Sequence, residues 1–315
     1  MIDTDVSNKT GYFRKRRRSR IFLGLGFLIA ILVLPGTPAP RDTHVLTTLS
    51  GVAVEASARA FVQGEAVVFT VREAPEKTRI VVSFLDKTLE LNKPATEKTI
   101  GFLGIDLAAK PGIYPWTIRT ENESGHWEET RMGVMVEAGN FSVRRLRVAQ
   151  EFVTPPASVQ ERIRREADLL AAIYSMPSPV WMGDGAFILP HGGRSADNFG
   201  ERRIFNDVPR SPHTGLDIAA PMGDPVRASN AGRVVMASNL YFSGKTVIID
   251  HGLGVFSLYC HFSKLLVKRT QMVAKGEAIG LIGSTGRSTG PHLHWGFRIY
   301  DSRVDPISMT ALPLD

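Results

Sequence analysis

The stretch Gly286-Arg287-Ser288-Thr289-Gly290-Pro291-His292-Leu293-His294-Trp295-Gly296-Phe297 constrains this chain more than any other. In an extended strand, residues two apart point the same way and lie roughly 6.6 Å apart. His292 and His294 therefore share one face, with Leu293 on the other. A distant counterpart, His213-Thr214-Gly215-Leu216-Asp217, offers two more metal-type donors. Fully extended, His213 and Asp217 would stand roughly 13 Å apart, so the backbone is expected to bend at Gly215 if both serve one ion. Zinc takes His nitrogen and Asp oxygen at about 2.0 to 2.2 Å, and catalytic sites use three protein ligands plus a water. Two histidines and an aspartate fit that count. Either half alone is a weak signal, because H-x-H arises by chance in strands. Their joint occurrence carries the weight: five of the eight histidines (His213, His251, His261, His292, His294) fall in this one third of the chain.

The formal charge of +7 does not describe the folded part. Residues 1 to 20 hold seven basic and two acidic side chains, which leaves 31 basic and 29 acidic in the other 295, a net of +2. A nucleic-acid binder would cluster its basic residues on the fold, so no nucleic-acid partner is expected. The tail Arg14-Lys15-Arg16-Arg17-Arg18-Ser19-Arg20 runs into fourteen uncharged residues, Ile21 to Leu34. Over residues 1–40 this reads as a secretory signal or a single-pass anchor with its N-terminus in the cytoplasm. A core shorter than the roughly 20 residues of a comfortable span favours removal; the lack of a clean A-x-A junction favours retention. Membrane contact is expected only through this segment, if uncleaved. A single cysteine, Cys260, excludes an internal disulfide.

Residues 45–140 read as short strands separated by turns such as Gln63-Gly64-Glu65 and Lys110-Pro111-Gly112, the pattern of a β-sandwich with immunoglobulin-like architecture. Trp116, Trp127, Tyr114 and Phe84 fit a core better than a glycan platform. Residues 141–184 read as a linker with one amphipathic helix. Val159, Ile163, Ala167, Leu170 and Tyr174 form its apolar stripe, Ser158 with Glu161 suggests a capping box, and Arg162, Arg164 and Arg165 suggest a solvated face. From 185 to 312 strands alternate with glycine-bearing turns, predicting an antiparallel sheet crossed by a groove. Alternation along Val255 to Phe262 predicts a core face of Phe256, Leu258, Cys260 and Phe262, with His261 turned to the groove. Cys260 is then a buried thiol, and His251, at a strand end, a hydrogen-bonded structural histidine.

Gly215-Leu216-Asp217-Ile218-Ala219-Ala220-Pro221, Tyr259-Cys260-His261-Phe262-Ser263 and Gly283 to His294 resemble the three signatures of lysostaphin-type zinc endopeptidases, which cut the peptide part of peptidoglycan. Phe199-Gly200-Glu201-Arg202 resembles the segment before that family's first ligand. The resemblance covers roughly residues 185 to 310, with order and spacing preserved. It implies one Zn2+ per chain held by His213, Asp217 and His294, with His261 and His292 as the non-ligand catalytic pair and peptidoglycan stem peptides as substrate. Cys260 stands where the family commonly has Gly, a packing substitution. No H-E-x-x-H supplies a Glu base, and an imidazole pKa near 6.5 suits the two remaining histidines to proton transfer. By analogy the location is the periplasm of a Gram-negative bacterium and the bond a D,D-type cross-link. The rival expectation is a non-catalytic, peptidoglycan-binding relative that activates cell-wall amidases. Such relatives lack ligand residues, and all three are present here. A further expectation is that the sandwich lies over the groove and holds the enzyme latent, so that a form starting near residue 180 would be more active.

Overall fold

The computed structural model describes residues 41–75, 78–91 and 99–314; the segment read as a signal or anchor lies outside the described residues. Among the described residues no helix is long and apolar enough to cross a membrane. The chain is mainly β. Two four-stranded antiparallel sheets come first, one ordered Asp42–Thr47, Ala53–Ala58, Ala66–Glu73, Ile100–Gly104, the other Lys87–Glu90, Arg79–Phe84, Gly112–Glu121, Trp127–Val136. Their inward residues interleave: Val54, Ala56 and Phe69 from the first meet Ile80, Val82 and Trp116 from the second. Trp116 and Phe84 are core side chains, whereas Trp127 lies partly exposed under the guanidinium groups of Arg79 and Arg119.

A larger antiparallel sheet follows, in which Gly215–Ala219, His292–Ile299, Val255–Phe262, Gly244–Gly252 and Gly232–Leu240 lie side by side in that order. Asp217 pairs with His294, and Cys260 pairs with His294 from the other flank. Directly opposed residues share a face, so these three, and His292 two residues on, project from one side. Leu216, Tyr259, Leu293 and Trp295 project from the other into the main core.

The strand Val255–Phe262 departs from the expected alternation. Phe256 and Leu258 lie on the groove side, under the helix Ala157–Ser175, and Cys260 lines the groove itself, while Val255 and Tyr259 belong to the main core. His261 reaches the groove through a bulge. Val247 opposes Tyr259 but Lys245 opposes Phe262, and His261 takes a left-handed φ of 68°. An extra residue in one strand reverses the alternation beyond it, so Phe262 returns to the core.

The connecting helix lays Leu170, Ile173 and Tyr174 on Met236, Ile248 and Phe256. Its expected capping box is not formed: Pro156 is the N-cap and Ser158 lies inside the first turn. A proline there already fixes φ and needs no donor. Arg162 is held rather than solvated, pairing with Glu166 at 2.7 Å and donating to the Asn239 carbonyl at 2.9 Å.

Ala66, Val68 and Phe102 of the sandwich enter the same buried cluster as Phe297, Val304 and Met309. Polar contacts reinforce that seam. Arg303 forks onto Asp106, Nε to Oδ2 at 3.0 Å and Nη2 to Oδ1 at 2.5 Å, and Arg59 bridges Glu65 and Asp305. None of the described sandwich residues lines the groove, which overturns the expectation of a sandwich lying across it. The wall is instead the segment just after the sandwich: Val143–Leu146 pairs in parallel with Arg202–Phe205 and sets Arg144 and Leu146 along the groove.

His251 is fully buried, with Nδ1 2.7 Å from the Ala231 carbonyl and Nε2 2.7 Å from Ser257 Oγ. Burial lowers its pKa to about 4 against the usual 6.5. Between those values the unfolded chain binds the proton and the folded one does not, so stability present above pH 6.5 is lost on acidification. At pH 5 the loss from this group is about 2 kcal/mol. A urea-unfolding series from pH 7 to 5 is expected to show a steeper decline for wild type than for His251→Gln; parallel curves contradict this. Arg303→Ala is expected to lower the unfolding free energy by about 1–3 kcal/mol, measured by the same titration. A form beginning at residue 180 is expected to melt lower than the full chain and to lose activity, because it lacks the groove wall.

Candidate active site

Three side chains converge at the head of the groove. His213 Nε2 lies 2.8 Å from His294 Nδ1 and 3.1 Å from Asp217 Oδ1, and His294 Nδ1 lies 3.0 Å from Asp217 Oδ1. They form the His/Asp group that could hold a metal ion. A tetrahedral zinc ion with bonds of about 2.0–2.1 Å separates its ligands by about 3.3 Å, so a triangle of this size fits one divalent ion. The donor chemistry fits as well. His213 Nδ1 donates to the Asn198 carbonyl at 2.9 Å, which leaves Nε2 a lone pair aimed into the triangle. Asp217 divides its oxygens: Oδ2 accepts from Asn198 Nδ2 at 3.0 Å and Arg203 Nη2 at 2.7 Å, and Oδ1 is turned to the histidines.

Each position has a local cause. Residues 211–214 are coil, not strand, which is how His213 doubles back over Asp217. Gly215 serves by its size: a Cβ there would stand 2.5 Å from the Trp295 carbonyl and 2.7 Å from His294 Cε1. The expected bend is therefore upstream of Gly215, and the glycine admits the imidazole.

Burial opposes ionisation of Asp217, but hydrogen bonds from His213 and His294 outweigh it and hold the carboxyl well below the usual range. Burial, with His213 and Arg203 nearby and against the pull of Asp217, lowers His294 to about 4; burial, then His294 and His292, lowers His261 to about 3. These two imidazoles are thus neutral at pH 7. Burial raises the Cys260 thiol to about 12, so it stays protonated and is neither nucleophile nor thiolate ligand.

His261 and His292 flank the triangle, their rings 4.8 Å apart. His261 Nδ1 donates to the Thr285 carbonyl and His292 Nδ1 to the Gly290 carbonyl, both at 2.8 Å. Each therefore keeps a lone pair at Nε2, and that of His292 lies 3.8 Å from Asp217 Oδ1. All five sequence-derived residues are brought together. Asn198 escaped sequence reading, as did Arg203. Asn198 also takes the Asp217 amide on its Oδ1 at 3.0 Å, so it touches both halves of the donor set. The only sequence signal was its place directly before Phe199-Gly200-Glu201-Arg202.

Fold and donor set together define a metallopeptidase domain. The profile of peptidase family M23 matches residues 211–306. The crystal structure of a Pseudomonas aeruginosa protein described as an M23 peptidase superposes with a TM-score of 0.61 at 30% identity, covering 80% of this chain and 96% of that one. This chain belongs to peptidase family M23. The peptidoglycan DD-endopeptidase ShyA of Vibrio cholerae is 48% identical over 103 residues, 32% of this chain and 24% of that protein. The DD-carboxypeptidase/endopeptidase Mpg of Neisseria meningitidis is 48% identical over 101 residues, 32% of this chain and 23% of that protein. The matched region spans about a quarter of the length of both curated relatives.

Asn198→Ala is expected to weaken metal affinity about 10- to 100-fold, measured by competition with a chromogenic chelator, with the protein still folded. Unchanged affinity would show that Asp217 and His213 orient themselves without it.

Proposed function

We propose that this chain is a zinc-dependent endopeptidase that hydrolyses peptide cross-links of bacterial peptidoglycan, of the D,D type, after export to the periplasm. One observation carries the reading: a donor triangle of two imidazoles and a carboxylate, with two further imidazoles that are not needed to complete it, opens on a groove. A regulator that only binds peptidoglycan would need neither the second pair nor their orientation.

His213, Asp217 and His294 would hold the ion. When bound, zinc supplies Lewis acidity, lowering the pKa of a coordinated water toward roughly 7 and polarising a peptide carbonyl. The chain's own residues do the rest. Arg203 and Asn198 fix Asp217 Oδ2, so Oδ1 is presented without rotation. Nε2 of His292 is the acceptor position for the proton of an attacking water, and the same atom returns it to the departing amine; His261, which burial keeps neutral, stands beside it as its partner. Their Nδ1–H bonds to the Gly290 and Thr285 carbonyls keep both tautomers in place, and the bond to Gly290 stabilises the His292 imidazolium while it carries the proton.

The test is mass analysis of muropeptides released from purified sacculi by wild type, His294→Ala and His292→Ala, with zinc content measured for each. Wild type is expected to convert cross-linked dimers to monomers. His294→Ala is expected to lose zinc and activity together, and His292→Ala to keep zinc while slowing by about 100-fold or more. Intact cross-links after incubation with zinc-loaded wild type would reject the endopeptidase reading and leave the binding-only regulator.

A further inference from the structure

A basic cluster lines the groove, and of its members only Arg203 helps to hold the donor triangle. Its centre, Arg287, follows Gly286, whose φ is 73° and whose Cβ, if it had one, would stand 2.3 Å from the Gly244 nitrogen. The loop is thereby pressed onto the hairpin around 242–244, and Arg287 N donates to the Phe242 carbonyl at 2.7 Å. The guanidinium stands over two rings at once, Cζ lying 5.0 Å from the centroid of Phe205 and 4.8 Å from that of Phe242. Aromatic faces attract the cation but accept none of its in-plane N–H bonds, so the donating edge stays available.

The neighbours do not neutralise it. Burial, then Arg203 and Arg210, lower its pKa to about 10, which leaves it charged at neutral pH. Arg203 is committed to Glu201 and Asp217. Arg210 gives one Nη2–H to the Val153 carbonyl, but its buried Nε has no hydrogen-bond partner among the described residues. Arg144 adds a fourth cation from the linker strand. Asp217 is the one carboxylate among the described residues lining this groove, and both its oxygens are engaged. The groove thus gathers more positive charge than it balances.

The geometry points to Arg287, with Arg210 beside it, as a subsite for a free carboxylate on the peptide residue adjoining the scissile bond. This rests on the endopeptidase reading above and specifies which cross-linked peptides the groove selects. A guanidinium edge matches a carboxylate through two parallel N–H bonds, and the aromatic walls remove competing water. A peptide without that charge leaves two partly buried cations unpaired, which is where discrimination arises. Arg287 acts here as a specificity residue; it touches neither the donor triangle nor the proton-transfer pair.

The test uses full-length, zinc-loaded protein and two synthetic cross-linked peptide dimers, one with a free carboxylate next to the scissile amide and one with that group as carboxamide. Wild type is expected to favour the acid by about 10- to 100-fold in kcat/KM. Arg287→Gln is expected to collapse that ratio toward one, and Arg287→Lys to keep part of it. Equal rates for acid and amide with wild type overturn the subsite. Should Arg287→Gln fail to fold, the wild-type ratio decides alone. Equilibrium binding of the two dimers to metal-free wild type separates the two readings: if neither dimer nor sacculi are cleaved, the endopeptidase reading fails, and equal affinity for acid and amide then rejects the subsite as well.

Discussion

The antiparallel pairing of Gly215–Ala219 with His292–Ile299 sets Asp217 directly opposite His294, and the rest of the groove follows from that register. Side chains alternate along a strand, so a slip of one residue would send every donor to the opposite face. The register is held from behind, where Leu216 and Ile218 meet Leu293 and Trp295 in the buried core. Hydrophobic burial, which has no directional preference of its own, thus fixes the placement of polar groups that do.

Two further constraints turn that register into a usable site. The coil at 211–214 brings His213 back to within 3.1 Å of Asp217, and the bulge at His261 turns an imidazole that simple alternation would bury toward the groove. Asn198 then ties the two sides of the donor set, accepting from His213 on its carbonyl and donating to Asp217 from its side chain. Hydrogen bonds of this kind set tautomer and ring orientation, which a strand register cannot do alone. Because Cys260 is neutral and buried, the donor set stays one of nitrogen and oxygen.

Much of this was legible in the residues. The H-x-H strand and the H-x-x-x-D segment located His213, Asp217, His292 and His294, because strand periodicity and residue chemistry are local properties; His261 came from the family resemblance and from an alternation whose faces the structure inverts. The sandwich strands were legible for the same reason. What escaped was non-local. The reason His261 faces the groove is a two-against-three pairing with Lys245–Val247, which no single strand reveals. The face assigned to Phe256 and Leu258 was inverted because their burial comes from a helix eighty residues upstream, not from the main core. Ser158 looked like a cap, but the chain had already entered the helix at Ala157 behind Pro156. The sandwich was expected over the groove, yet its apolar edge at Phe102 and its Asp106 dock at the strand end around 302–305. Asn198 and Arg203 carry no motif, and their roles exist only once Asp217 is in place.

The sandwich docks on the catalytic sheet through its own seam, and the segment 143–148 that follows it is anchored by Arg202–Phe205 and Asn206 and walls the groove. The central claim concerns the donors themselves, and X-ray absorption at the zinc edge on protein loaded with one equivalent of zinc tests it most directly. The account predicts a first shell of nitrogen and oxygen only, at about 2.0–2.1 Å, with the outer scattering of two imidazoles. A sulfur shell at about 2.3 Å, or scattering from fewer than two imidazoles, would contradict it.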